Sequence, residues 1–227
     1  METLPVHRPA CLEALQEVKK TYTYTLPVQV SPTVDTVFVS DPRVIRNMIK
    51  DEEIALKLLT CYCNTLQSDL EPHMRSIVTD WMLEVCEDHG AKDEVFLQAV
   101  HYMDSFLSTT VIKKSQFQQV AASCLLLASK YVDENPLSGM KLIAYTDQSI
   151  TLQQLLDWEW QVMASCKWQL GVPNAISFLQ QLVPRLAFLS TLPPHLLDTM
   201  TRHAHNLAIM NQRPQPIQNF RIFCIKI

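Results

Sequence analysis

Glycine is scarce in this chain, which has 3 glycines among 227 residues. Such a composition leaves few tight turns and no glycine-rich phosphate-binding loop, which argues against nucleotide-binding α/β folds. No proline falls between Pro72 and Pro136, or between Pro136 and Pro173, so no proline interrupts helices in those blocks. These two absences predict an all-α fold.

Long apolar runs and an excess of basic charge are also missing. No apolar stretch approaches roughly 18 residues and no charged-then-apolar signal opens the sequence, so neither a membrane span nor a secretory leader is expected. The net charge is −4, and the basic footprint of a nucleic-acid-binding protein is absent. The 7 cysteines are odd in number and several lie within apolar helical patterns. That usage is expected for reduced thiols in the cytosol or nucleus.

Hydrophobic periodicity predicts a bundle of helices in the middle of the chain. The capping segment Ser40–Pro42 starts the first helical pattern, whose apolar positions leave room for a break near Lys50–Glu52. Thr151–Gln154 reads as a capping box at the start of another helix. The third helix after residue 72 is apolar almost all round from Val120 to Ala128, which is typical of a helix at the centre of a bundle. The five helices after residue 72 are expected at about 73–89, 93–108, 113–131, 138–145 and 151–166.

The first helix of this bundle contains a charge within its apolar stripe. Its apolar residues recur with helical spacing at 74, 77, 78, 81, 82 and 85, and Arg75 lies among them. Asp104 lies among apolar residues in the next helix. Because a buried charge needs a partner, the sequence predicts an ion pair between Arg75 and Asp104 that joins the two helices.

Three short segments carry a family resemblance. They are Trp81–Glu87 in the first helix, Ala144–Ile150 before the fifth helix and Cys166–Leu170 after it. Together with Arg75 and Asp104 they resemble the cyclin box, and most of all the box of D-type cyclins, over about residues 41–190. The resemblance implies an all-α cyclin-box fold, with one complete five-helix box and a truncated second helical box.

The resemblance also implies a division of the chain into domains. Residues 1–39 are expected to be a largely flexible N-terminal extension: Leu12–Lys20 fits a short helix, but Thr21–Val39 has no helical period. Residues 40–170 are expected to form the N-terminal cyclin box with its preceding helix. After the break at Gly171–Asn174, residues 171–210 are expected to form a partial second box, and residues 211–227 a divergent tail.

A kinase-binding site follows from the same resemblance. Lys130 ends the third helix, and Glu159 lies between Trp158 and Trp160 on the fifth. In cyclins the residues at these two positions contact the cyclin-dependent kinase, and Tyr131 is placed with them. From the residues alone, Lys130 also fits as a favourable cation at a helix C-terminus, and Glu159 as an ordinary surface carboxylate.

In cyclins that recruit substrates, the first helix supplies a shallow groove for Arg-x-Leu peptides. Apolar side chains would receive the leucine, and Glu84 would pair with the arginine. The same apolar residues also suit a buried core, so the pattern leaves both interpretations open. The matching residues here are Met74, Ile77, Val78, Trp81, Glu84, Phe117 and Gln118.

Two further segments bear on partners and cofactors. Pro9–Glu13 is the nearest match to the Leu-x-Cys-x-Glu segment with which D-type cyclins dock the retinoblastoma protein, but proline replaces the leucine. That change removes a side-chain anchor and a backbone donor. Cys61, Cys63 and His73 lack the four-ligand spacing of a structural zinc site. No metal site is therefore expected. No cofactor and no catalytic residue is expected either, because no catalytic constellation stands out in the sequence.

The resemblance to D-type cyclins implies a non-catalytic subunit that binds and activates a cyclin-dependent Ser/Thr kinase at the G1/S transition. Expected partners are that kinase, kinase-inhibitor proteins and retinoblastoma-type substrates, without nucleic acid or membrane, and the expected location is the nucleus and cytoplasm. The alternatives are a cyclin-box scaffold in transcription, which the net charge of −4 disfavours, and an inactive decoy form of a cyclin. An enzyme is disfavoured because no nucleophile–base pair, metal spacing or phosphate loop is visible.

Overall fold

The computed structural model describes residues 41–59, 62–63, 65–186, 189 and 192–212. The regular structure within these ranges is helical. The predicted extension 1–39, with its segment Pro9–Glu13, and tail residues 213–227 lie outside the described residues. None of the described helices is long and apolar enough to cross a membrane.

Helix α1, Pro42–Leu58, begins where the capping segment predicts. The Asp41 carboxylate accepts a 2.8 Å hydrogen bond from the Arg43 backbone N–H, and Pro42 lies in the first turn, where its missing N–H is not needed. The apolar pattern left room for a break near Lys50–Glu52, but α1 is continuous through these residues. Lys50 and Glu52 are good helix formers, and no glycine or proline accompanies the change of apolar register.

Five helices after α1 form a bundle, and two of their caps are specified locally. Gly90 follows α2 in the left-handed conformation with φ of 72°, and its N–H donates to the Glu87 carbonyl. The predicted capping box is present, with the Thr151 and Gln154 backbone N–H groups each bonded to the other's side chain. The helices are α2 Pro72–His89, α3 Asp93–Leu107, α4 Phe117–Val132, α5 Gly139–Tyr145 and α6 Leu152–Ser165, with a 3-10 turn at Lys114–Gln116 before α4.

Helix α4 lies at the centre of the bundle, as its apolar composition predicts. Every residue from Val120 to Ser129 is buried, because α4 packs against α2, α3 and α6 at once. The Ser123 hydroxyl lies 3.0 Å from the carbonyls of Gln119 and Leu155, so this polar group is satisfied inside the core. Each large apolar side chain buried around α4 contributes roughly 1.5–3 kcal/mol to folding.

Two further helices, α7 Ala175–Leu182 and α8 Pro194–Gln212, follow the bundle in the region where a second helical set was expected. The Asn174 side chain caps α7 by accepting from the Ser177 N–H at 3.0 Å. On α8, His205 lies 3.5 Å from Asp93 at the start of α3. The second helical set is therefore joined to the bundle by polar contacts as well as by packing.

Candidate protein-binding surfaces

Arg75 on α2 and Asp104 on α3 form the buried ion pair expected from the sequence. The guanidinium Nε and Nη2 donate to the two carboxylate oxygens at 2.9 and 2.7 Å, and the two side chains are only 5% and 1% exposed. Burial by itself lowers the pKa of Arg75, but Asp104 more than offsets this effect and raises it. The guanidinium therefore stays charged inside the protein and holds α2 against α3.

Two further groups complete this network, and sequence analysis missed both. The Tyr62 hydroxyl donates to Asp104 at 2.8 Å, and burial together with the nearby carboxylate raises the pKa of this phenol. Arg75 Nη1 donates to the backbone carbonyl of Gln212 at 2.9 Å, which places a cation at the C-terminal end of α8. Because Tyr62 follows α1 in an irregular segment and Gln212 is 137 residues from Arg75, no local pattern links these groups.

Lys130 on α4 and Glu159 on α6 pair with each other. The Lys130 Nζ donates to Glu159 Oε1 at 2.6 Å and to Oε2 at 2.9 Å. The lysine side chain is 45% exposed whereas the glutamate side chain is 9% exposed, so the carboxylate lies beneath the ammonium group. The sequence places both residues at one predicted site but does not predict that they bond, because their spacing of 29 residues leaves the packing of α4 on α6 unspecified.

Exposed apolar side chains lie near this pair on α6 and in the turn after it. Trp160 and Trp168 are 60% and 59% exposed, and their rings meet edge to face with centroids 5.5 Å apart and an interplanar angle of 80°. Tyr131, next to Lys130, is 54% exposed. Leu152 and Leu156 recur with Trp160 at i, i+4 and i+8, which puts the three on one face of α6. We term these five residues, with Lys130 and Glu159, the pair face.

The apolar residues predicted as a groove come together around a cavity of about 380 Å³ between α2 and the start of α4. Ile77 is 63% exposed, while Met74 and Phe117 are 9% and 3% exposed and form the floor. The core interpretation therefore holds for Met74 and Phe117. The groove interpretation holds for Ile77, which projects into solvent. The lining comprises His73, Met74, Ile77, Val78, Trp81, Lys114, Phe117 and Gln118.

The charges around this groove differ from those expected. Glu84, the predicted partner of an arginine, is exposed on α2 and does not line the cavity. Lys114 and His73, which sequence reasoning did not select, do line it. Lys114 belongs to the 3-10 turn before α4, and sequence periodicity does not reveal that this turn folds back toward α2.

Metal ligation finds no support in the part of the chain that the structure describes. It contains no cluster of three or more His, Cys, Asp or Glu side chains able to hold an ion, and Cys61 lies outside that part. Burial raises the pKa of the Cys86 thiol to about 12 and that of Cys124 well above its usual range. Both are protonated core residues of low nucleophilicity.

His101 on α3 gives stability a predictable pH dependence. Burial lowers the pKa of this imidazole below its ordinary value, and the nearby Asp104 opposes that shift only in part. Because the unfolded chain takes up the proton first, the free energy of unfolding falls as the pH drops below about 6.5. We expect H101Q to lose part of this slope in urea unfolding between about pH 5 and pH 7.5. The exposed His203 provides the control H203Q, and equal slopes in both variants would contradict the assignment.

The family model described as "Cyclin, N-terminal domain" matches residues 43–171, which run from α1 to the end of the bundle. The chain therefore belongs to the cyclin family. It is 37% identical over 170 residues to the G1/S-specific cyclin-D2 of Xenopus laevis, covering 75% of this chain and 57% of that relative. It is 38% identical over 153 residues to the G1/S-specific cyclin-D3 of Homo sapiens, covering 67% of this chain and 52% of that relative.

These relatives confirm the resemblance to D-type cyclins. The chain spans about half the length of the curated relatives it matches. Among solved structures, a viral cyclin from herpesvirus saimiri aligns with a TM-score of 0.67 at 23% identity, covering 77% of this chain and 74% of that chain. That likeness shows the fold, and the predicted all-α cyclin-box architecture is confirmed.

Proposed function

We propose that this chain is the regulatory, non-catalytic subunit of a cyclin-dependent Ser/Thr kinase, which it binds and activates. The observation that carries the proposal is the pair face, where exposed tryptophan and leucine side chains lie near the Lys130–Glu159 ion pair. Large apolar side chains left exposed in this way mark a candidate surface for a partner. Membership of the cyclin family and the positions of Lys130 and Glu159 support a cyclin-dependent kinase as that partner.

The geometry of the pair suits the binding of a kinase backbone segment. An ammonium group has three donors, and Lys130 directs two of them at Glu159. The third donor is free to bond a backbone carbonyl of the kinase. Apolar side chains nearby would exclude water and strengthen that bond. A kinase αC helix held in its inward position completes the kinase's own Lys–Glu ion pair and its active arrangement.

We place this activity at the G1/S transition, with retinoblastoma-type proteins as substrates, in the nucleus and cytoplasm. The names of the D-type relatives support the stage of the cell cycle. Kinase-inhibitor proteins are additional partners under this proposal.

The proposal is tested by co-expressing the full chain with a kinase that binds D-type cyclins and measuring complex formation by gel filtration. We expect an equimolar complex that elutes ahead of either protein alone. Each protein expressed by itself provides the control for self-association. A folded, soluble chain that elutes separately from the kinase would contradict the proposal.

The groove on α2 is the substrate-docking site under this proposal. It has an apolar floor suited to a leucine side chain, and its lining contains the cationic Lys114 but no carboxylate. Residues beside that leucine are therefore expected to be acidic or neutral, in contrast to the arginine that the sequence resemblance implied. A peptide array that varies these flanking residues measures this preference.

Ile77→Asp is expected to weaken docking without affecting activation of the kinase. The substitution places a carboxylate in the apolar groove, at a side chain that is 63% exposed and therefore contributes little to the core. We expect KM for a retinoblastoma-protein fragment to rise about tenfold, with kcat unchanged. Leu207→Asp on α8, at a side chain that is 67% exposed and outside the groove, is the matched control. Equal KM values for both variants would rule out docking at this site.

A further inference from the structure

A second cavity of about 380 Å³ opens between α1 and the turn that follows α6. We term it the Asp51 pocket. Helix α1 contributes Asp51 and Ile54, the turn contributes Trp168, and the bundle contributes His101 and Tyr131. Its volume falls within the range of pockets that receive ligands, so it has room for a large side chain of a partner.

The charge of the Asp51 pocket is negative. Asp51 is exposed on α1, and neither lysine nor arginine is among the lining residues. His101 is neutral at pH 7, because burial lowers its pKa. The charged side chains of Arg75 and Asp104 neutralise each other in the ion pair behind α3. Asp51 is therefore the one charged side chain among the residues that line this pocket.

The aromatic wall of the pocket is held in a strained conformation. Lys167 and Trp168 have φ values of 51° and 63°, in the left-handed region that bulky side chains rarely adopt. Their N–H groups donate to the carbonyls of Ala164 and Met163 at 3.0 and 3.1 Å, which fixes the turn at the end of α6. This left-handed turn caps the C-terminus of α6 and thereby sets the position of the Trp168 ring.

The second aromatic residue of the pocket, Tyr131, lies against Gly171. The Tyr131 hydroxyl approaches Gly171 so closely that a Cβ atom at position 171 would collide with it. Tyr131 nevertheless remains 54% exposed, as Trp168 does at 59%. Two accessible aromatic rings beside a carboxylate make a site for a planar cation, because the electron-rich ring faces and the carboxylate both attract positive charge.

We propose that the Asp51 pocket receives an arginine side chain of the kinase. The inference rests on the proposed function, because the pocket continues the pair face: Tyr131 adjoins Lys130, and Trp168 packs on Trp160 beside Glu159. Arginine fits better than lysine, since its flat guanidinium stacks on aromatic rings and binds a carboxylate through two hydrogen bonds.

The pocket is probed directly by titrating the full chain with Nα-acetyl-arginine amide and recording the tryptophan indole NMR signals. The chain has 4 tryptophans, and Trp168→Phe identifies the signal of Trp168. We expect this signal to shift with the arginine amide and not with the citrulline amide, which has nearly the same shape without the charge. Asp51→Asn should abolish the shift. Equal shifts with both compounds, or no shift with either, would overturn the proposal.

Kinase affinity separates this inference from the proposed function. Asp51→Asn is expected to weaken kinase binding about tenfold. Glu53→Gln, which removes the same charge from an exposed site on α1 outside the pocket, should leave affinity unchanged. The double variant K130E/E159K reports on the pair face. If that variant loses binding while Asp51→Asn does not, the pocket inference fails and the proposed function stands. If neither variant loses binding, the pocket inference fails and so does the role given to the pair face, whereas a parent chain that does not bind the kinase at all would contradict the proposed function.

Discussion

Arg75→Ala is expected to lower the free energy of unfolding by about 3–5 kcal/mol, because it leaves the carboxylate of Asp104 buried without its cation. Asp104 is 1% exposed and retains only the Tyr62 hydroxyl as a described side-chain partner. The same change removes the hydrogen bond to Gln212 that joins α8 to α2. Urea unfolding of the variant and the parent, followed by circular dichroism, measures the difference.

Two controls separate the buried pair from a general loss of charge. Arg202→Ala removes the arginine of an exposed pair on α8 and is expected to cost about 0.5 kcal/mol or less. The double variant Arg75→Met with Asp104→Leu replaces the ion pair by apolar side chains and should recover most of the loss. An Arg75→Ala variant no less stable than Arg202→Ala would contradict the role assigned to the pair.

The charge swap K130E/E159K is expected to preserve the fold while lowering kinase affinity by at least about 100-fold. Opposite charges still face each other between α4 and α6, so the internal pair re-forms. On the surface that binds the kinase, however, a carboxylate acceptor at position 130 replaces the ammonium donor. Isothermal titration calorimetry against the kinase measures the affinity, and thermal unfolding checks the fold.

One outcome of the swap would contradict a role in kinase binding. A folded variant with unchanged affinity would show that Lys130 and Glu159 serve only to join α4 to α6. Lys92→Glu is the matched control, because Lys92 is not a member of the pair face and forms only long contacts of 3.7–3.9 Å with Asp133 and Glu134. It should bind the kinase as tightly as the parent chain.

Most of the fold can be predicted from the sequence, because its determinants are local. The glycine after α2, the capping box at Thr151 and the all-round apolar pattern of α4 each specify a boundary or a burial state through neighbouring residues. The exception is the break expected near Lys50–Glu52. The shift of apolar register there changes which face of α1 is apolar. It does not end the helix, because no glycine or proline interrupts it.

The binding surfaces could be predicted only in part, because they depend on which helices meet. Periodicity identifies the apolar stripe that contains Ile77, but it does not distinguish core from groove, and it missed Lys114 at the groove wall. Trp160 and Trp168 were likewise not selected: the stripe of Leu152, Leu156 and Trp160 resembles ordinary core, and no periodicity shows that Trp168 in the following turn is exposed. Tyr62 and Gln212 join the buried network through tertiary contacts alone.

The most direct test of activator function is to titrate the full chain into a fixed amount of the kinase alone and measure phosphorylation of a retinoblastoma-protein fragment. We expect the rate to rise from near zero to a plateau at equimolar chain, and to stay near zero with K130E/E159K. A complex that forms without any rise in rate would contradict activation and identify the chain as a decoy that occupies the kinase.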